Sequence, residues 1–292
     1  MGRHLEGRVA VVTGSGHGIG KEIALALAKE GAKVVTNSRR AETCKAVAEE
    51  IISAGGQALS FPCDVSSFKA TGDLIEAAVK GFGGLDILVN NAGNVAPHVI
   101  WRMTEDEWDS VTSVHLKGTF NCIHHASKHM KDRQYGRIVN TISGAWLGIA
   151  GNANYSASKA GTVGLTKTVA EEMARHNVTC NCYGPIANTG DGKGILDWSD
   201  VAAHHRNRFH AGFESEREMK QLTTAPSPAT VPPLVVYLCS EAAAKITAKI
   251  FMVCGNDISI STVKIDDRVI YKEGSPWTLE ELHEYVSSVL LA

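Results

Sequence analysis

Tyr155 and Lys159 stand four residues apart in NYSASKAG, within a stretch patterned as a helix, so the two share one helical face. A free phenol titrates at about 10 and is a poor base at neutral pH, but a neighbouring ammonium favours its anion. Ser143 closes the apolar run RIVNTIS, where its hydroxyl can hydrogen-bond an oxygen. Thr141 is the fallback if the loop beyond is shifted. His115, in VTSVHLKGTF, brings an imidazole that donates, accepts and titrates near neutrality. A bare Tyr-x-x-x-Lys also arises by chance on exposed helices, and a buried histidine can simply be a satisfied core residue. Their weight therefore depends on the surrounding chain.

A second stretch has chemistry of a different kind. TGSGHGIG, residues 13–20, joins an apolar run to an amphipathic one and places glycines at 14, 16, 18 and 20. Glycines there let backbone approach a pyrophosphate, while the start of the next helix offers N–H donors. Ile19 occupies the third glycine position of the ordinary G-x-G-x-x-G. Ser15 and Glu22 exclude a Walker loop, which needs Gly and Ser or Thr at those places. The alternative is a tight strand-to-helix turn.

The elements that must position these residues follow from periodicity. Short apolar runs (RVAVVTG, KVVTNSR, ALSFPCDV, LDILVNNAG, GRIVNTIS, NVTCNCYGP) alternate with longer amphipathic ones, including one continuous helix expected over residues 104–130. Near-continuous apolar strands separated by helices mean an α/β fold, a Rossmann-type doubly wound parallel sheet covered on both faces. We expect a dinucleotide-binding catalytic domain over residues 1–257, a polar insertion at 187–225 acting as a substrate lid, and a C-terminal extension, 258–292.

Bulk properties narrow the class. The chain has 292 residues, 44% of them hydrophobic, and a formal net charge of −2. No strongly basic field favours nucleic acid or an anionic membrane surface, and no apolar run is long enough to span a bilayer. Seven cysteines, odd in number and scattered, fit reduced thiols in a cytoplasmic protein. Cys180 and Cys182 lack a second ligand pair. His124, His125 and His129 crowd one helix, but Ala126 follows His125 where a zinc helix would carry Glu. No metal is expected.

Taken in order, Thr13, Gly14, Gly18 and Gly20, then Asp64 in CDV, NNAG at 90–93, Ser143 and Tyr155-x-x-x-Lys159 resemble the signatures of the short-chain dehydrogenase/reductase family over the first 240 residues. The resemblance implies NAD(P)(H) held by Gly14, Ser15, Gly16, His17, Gly18, Ile19 and Gly20, by Asp64 and Val65 near the adenine, by Asn91, Ala92 and Gly93, by Tyr155 and Lys159, and by Pro185, Ile186 and Thr189. It implies Tyr155 as acid/base, Lys159 as its electrostatic partner, Ser143 as oxygen anchor and His115 as proton relay. Three places depart from the family pattern. His115 stands where the family carries asparagine, Ile186 replaces a glycine, and the segment from Ser143 to Tyr155 is one residue short. The histidine also resembles the dehydrogenase unit of peroxisomal (3R)-hydroxyacyl-CoA enzymes.

For the cofactor subtype, Ser38 falls where NAD enzymes of the family carry an acid, and Arg39 could pair with a 2′-phosphate. We therefore expect NADP(H), with NAD(H) as the alternative, since Arg39 could equally be a solvated loop residue. Trp146, Leu147 and Trp198 are expected to touch substrate; core packing is the alternative for the first two. Taken whole, the chain is similar to bacterial hydroxysteroid dehydrogenases, which implies ketone–alcohol interconversion on a bulky apolar small molecule in a homotetramer. The rival is a 3-oxoacyl thioester reductase, favoured if the basic residues at 204–208 bind phosphate. A third reading is a cofactor-binding protein without turnover.

Overall fold

The computed structural model describes residues 3–188, 226–263, 270–273 and 276–286. Contacts cluster into two compact units, Met1–Ile260 and Ser261–Ala292. The first carries an eight-stranded sheet: β1 Val9–Val12, β2 Lys33–Thr36, β3 Gln57–Ser60, β4 Ile87–Asn90, β5 Gly136–Thr141, β6 Val178–Ile186, β7 Ile250–Cys254 and β8 Asp257–Ser261. Its spatial order is 3-2-1-4-5-6-7-8, and β1 to β7 pair in parallel.

The helices are α1 Gly18–Lys29, α2 Ala41–Ser53, α3 Phe68–Phe82, α4 Glu105–Thr112, α5 Gly118–Arg133, α6 Ala153–Met173 and α7 Pro232–Cys239. The period of two along β1 divides them. Ala10 and Val12 pack with Ile23, Leu27, Val47 and Leu234 of α1, α2 and α7. Val9 and Val11 face the other way, onto Leu74, Cys122 and Val169 of α3, α5 and α6. Both faces are buried, which is why the strands read as unbroken apolar runs. In the second unit, α8 Leu279–Tyr285 begins with a capping box between Thr278 and Glu281.

Two features differ from the sequence reading. The helix expected over 104–130 is interrupted at Ser113–Lys117 by a π turn, which separates α4 from α5 and carries His115. Such turns are often found at functional sites. The second is β8, which lies in a segment expected to be an extension. DISIS alternates polar and apolar residues and follows a two-residue connection from β7 containing Gly255 at φ +58°.

The sheet order reverses between β1 and β4, both of whose carboxyl ends open into one crevice. This is where doubly wound sheets bind ligands. Thr13 ties the two strand ends together: its hydroxyl accepts from Asn91 N at 3.0 Å and from Ala92 N at 3.1 Å.

Candidate active site

The crevice holds a cavity of about 500 Å³. Along its first half run Gly14, His17, Gly18, Ile19 and Gly20 with Ser38, Arg39, Asp64 and Val65. Along its second run Asn91, Ala92, Gly93, His115, Tyr155, Lys159 and Pro185. Gly14 has φ +64°, and a Cβ on it would stand 2.7 Å from Ala92 Cα. Only glycine lets the loop lie against the end of β4 and leave the start of α1 facing the cavity. That cradle, with backbone N–H groups at a helix N-terminus, fits a pyrophosphate.

Ser15 and Gly16 do not line the cavity. Ser15 is fully buried, its hydroxyl donating to Val12 O at 2.9 Å and accepting from Asn37 N at 2.9 Å. It fastens the loop to the end of β2 from behind. A Cβ on Gly16 would meet Thr43 Oγ1. Ile186, at the end of β6, also stands outside the lining, next to Pro185. Asp64 Oδ1 accepts from Ser66 N at 2.9 Å, which fixes its carboxylate before α3. Ser38 is bound within its own loop, to Arg40 O at 2.6 Å and Thr43 Oγ1 at 2.7 Å. Arg39 makes no ion pair with any described residue and lines the opening, so its guanidinium is available to an anion.

Tyr155 lies in the first turn of α6 and Lys159 one turn on. Lys159 is buried, and its ammonium donates to Thr141 O at 2.6 Å while standing 5.4 Å from the Tyr155 ring centroid. Burial draws the Lys159 amine down to about 7, with Cys182 acting in the opposite sense. Burial likewise pushes the Tyr155 phenol up, and a hydrogen bond from Ser143 works against it. The sequence reading expects Lys159 to favour the phenolate. Burial outweighs the hydrogen bond from Ser143, and Ser143 is the group that favours the anion. Ser143 precedes the short helical turn Gly144–Leu147 and also accepts from Ala145 N at 3.3 Å. Thr141, the fallback, lines the cavity and its hydroxyl bonds Tyr183 Oη at 2.9 Å, whereas Ser143 stands outside the lining and reaches the site through Tyr155.

His115 is brought to the same place by the π turn. Its ring meets that of Tyr155 edge-to-face, centroids 5.0 Å apart. Nε2 is 2.7 Å from Asn94 O and 3.1 Å from Asn94 N. A carbonyl only accepts, so the shorter contact assigns the proton to Nε2. Nδ1 is then a buried acceptor with no hydrogen-bond partner among the described residues. Burial, aided by the Lys159 charge and opposed by the Asn94 hydrogen bond, drives the imidazole pKa down to about 3, so the ring is neutral at physiological pH. Gly93 makes room for it: a Cβ there would stand 2.5 Å from His115 Cε1.

The remaining expectations fall elsewhere. Trp146 packs against Ile142, Val163, Cys182 and Ile250, a core role, and Leu147 is exposed. Neither lines the cavity. Thr189, Trp198 and the rest of the expected lid from 189 to 225, with the basic residues at 204–208, lie outside the described residues. His129 Nε2 is 3.0 Å from Glu76, His125 Nε2 donates to Phe68 O at 2.9 Å, and no metal-binding cluster forms among the described residues. No described helix is long and apolar enough to cross a membrane. The sequence reading missed Asn94, which seats His115 through its backbone. Its position directly after NNAG is the signal that marks it.

Comparison with known proteins agrees with this geometry. The short chain dehydrogenase family model matches residues 8–192. The chain is 35% identical to hydroxyacyl-CoA dehydrogenase ChsB1 of Mycobacterium tuberculosis, covering 95% of this chain and 87% of that protein. It is 43% identical to a 3-oxoacyl-acyl-carrier-protein reductase of Synechocystis sp., covering 62% and 74%. Among solved structures, a short chain dehydrogenase from Mycobacterium avium superposes with a TM-score of 0.82 at 36% identity, covering 98% of this chain and 95% of that one. A matched loop, strand order and Tyr–Lys pair, carried over most of the chain, make it an oxidoreductase that belongs to the short-chain dehydrogenase family.

Proposed function

We propose that the protein interconverts a 3-oxoacyl thioester and its 3-hydroxy form with NADP(H). The observation that carries the reaction type is the convergence of Tyr155, Lys159 and His115 on one side of the cavity, with Ser143 hydrogen-bonded to Tyr155. The acyl thioester class is supported by the relatives, whose names specify acyl-CoA and acyl-carrier substrates. The hydroxysteroid reading, which the sequence favours, draws no such support from them.

When bound, the nicotinamide supplies or accepts the hydride. The protein's own part is proton management and orientation. Tyr155 gives a proton to the carbonyl oxygen in reduction and takes one from the alcohol in oxidation. Ser143 shares that oxygen and tunes the phenol. Lys159 provides positive charge beside Tyr155. His115, neutral and anchored through Nε2, presents Nδ1 as a hydrogen-bond acceptor for solvent on the proton path. Arg39, without an ion-pair partner among the described residues, together with His17 and the absence of an acid at Ser38, supports NADP(H) over NAD(H). A cytoplasmic homotetramer completes the reading, the compartment from the reduced, scattered cysteines and the assembly from the family resemblance.

The test is a screen of NADPH and NADH oxidation with a 3-oxoacyl-CoA and with a steroid ketone. NADPH consumption with the thioester supports the proposal. Turnover of the steroid alone would replace the substrate assignment. Loss of turnover in Tyr155→Phe, with cofactor binding kept, separates catalysis from binding.

A further inference from the structure

Asn154, immediately before Tyr155, is fully buried and commits its whole amide group. Oδ1 accepts from Tyr155 N at 2.8 Å. Nδ2 donates to Ala96 O at 3.0 Å and to Glu107 O at 2.9 Å. One side chain thus joins the start of α6 to the loop after β4 and to α4. Other bonds tighten the same junction. His98 N donates to Gly151 O at 2.8 Å, and Glu107 accepts from Thr104 N at 2.8 Å while standing 3.1 Å from His98 Nδ1.

Ala96 is two residues beyond Asn94, whose backbone seats the His115 ring. Asn94 is itself held to α4 through Nδ2 and Ser110 O at 3.1 Å. A path of hydrogen bonds and a few backbone links therefore runs from Tyr155 through Asn154, Ala96 and Asn94 to His115. We infer that Asn154 is a positioning residue: by pinning the loop at Ala96 to the first turn of α6, it sets the edge-to-face placement of His115 on Tyr155. Asn154 does not line the cavity, so it acts through these two side chains. An asparagine that merely stabilised the fold would change how much protein folds and leave the environment of the imidazole as it is.

The test uses the full chain with Asn154→Ala and Asn154→Ser, each alone and combined with His115→Asn. Serine keeps an acceptor near the Tyr155 N–H but cannot reach both carbonyls, and it serves if the alanine variant does not fold. Misplacing a reacting group by about 1 Å costs up to roughly 100-fold, so each single variant is expected to lower kcat by about 10- to 100-fold with the cofactor KM unchanged. Added to His115→Asn, the same change should cost little more, because residues acting through one another are not additive. Additive losses would overturn the inference. This turnover measurement rests on the proposed reductase activity. A second measurement does not: the imidazole nitrogen resonances of His115 in the cofactor-free protein. They should move in folded Asn154→Ser, and unchanged resonances overturn the inference whatever the substrate proves to be.

Discussion

His115 and Tyr155 pack ring edge against ring face at 5.0 Å and 89°, with the imidazole buried and held through Nε2 by the backbone of Asn94. Aromatic pairs favour this arrangement at separations of about 4.5–7 Å. The contact makes the histidine part of the tyrosine's surroundings. An asparagine, shorter and without a ring, would leave that face of the phenol differently solvated. Because the imidazole is neutral, it adds no charge that competes with Lys159.

A neutral, buried His115 has a consequence for acid stability. The folded protein holds its pKa at about 3, against 6.5 for the ordinary side chain. Between those values the unfolded chain binds a proton that the folded one refuses, so stability falls as pH drops through the window and is fully present above it. Replacing His115 with Asn should flatten the decline in thermal midpoint between about pH 6 and pH 4. The imidazole should show no titration between about pH 5 and pH 8 by NMR, where an ordinary histidine would. A midpoint near neutrality would contradict the burial argument.

Gly93→Ala tests the seat of the ring. The added methyl would stand 2.5 Å from His115 Cε1, so the imidazole must leave its place against Tyr155. We expect turnover to fall by at least about tenfold, the order of loss seen when a catalytic group is displaced. In His115→Asn the shorter side chain relieves the clash, and the same glycine substitution should then cost far less. Equal losses in both backgrounds would place the effect in the cofactor cavity that Gly93 also lines, instead of in the ring's seat.

Cofactor choice is tested at Arg39. A charge-assisted hydrogen bond contributes about 1.5–3 kcal/mol, so Arg39→Ala should weaken NADPH binding by roughly 10- to 100-fold. NADH, which has no 2′-phosphate, should be affected little. Isothermal titration of both cofactors reads the two numbers directly. Parallel losses for the two would assign Arg39 to the shared part of the dinucleotide.

Much of this molecule is legible in the chain because the central strands are buried on both faces and the helices on one. The apolar runs at Val9–Val12 and Ile87–Asn90, the glycine loop and the Tyr155/Lys159 spacing need no partner to be recognised. What escaped depends on tertiary contacts. Arg137, the second residue of β5, is fully buried, bound to Gly136 O at 2.8 Å, to Asn177 O at 3.2 Å and to Glu241 at 3.2 Å, with its guanidinium 4.4 Å from the Tyr135 ring centroid. An arginine satisfied in this way has no signature in its local sequence. The π turn is similar: VTSVHLKG carries an unbroken helical pattern, and the extra residue is revealed only where His115 and Leu116 meet the β4 loop and α6. Trp146, left open between substrate contact and core packing, packs against Ile142, Val163, Cys182 and Ile250, a contact its neighbours in sequence do not reveal.

Ser143 offers the last test, since it is the group that draws the Tyr155 phenol down against the effect of burial. In alcohol oxidation the phenolate takes the proton, so activity rises with pH along the tyrosine's titration. Ser143→Ala removes the interaction that favours the anion, raising that pKa further, and the rising limb should shift to higher pH. Ketone reduction uses the protonated phenol, so its profile near neutrality should keep its shape. Both directions lose rate, because the substrate oxygen also loses a hydrogen bond; removing one such donor costs roughly 100- to 1,000-fold in comparable sites. Ser143→Thr, which keeps the hydroxyl, should restore the position of the limb even where packing leaves the rate low. A limb that stays fixed in Ser143→Ala would show that the hydroxyl anchors substrate without setting the phenol, and would return the tuning of Tyr155 to Lys159 and the bound cofactor.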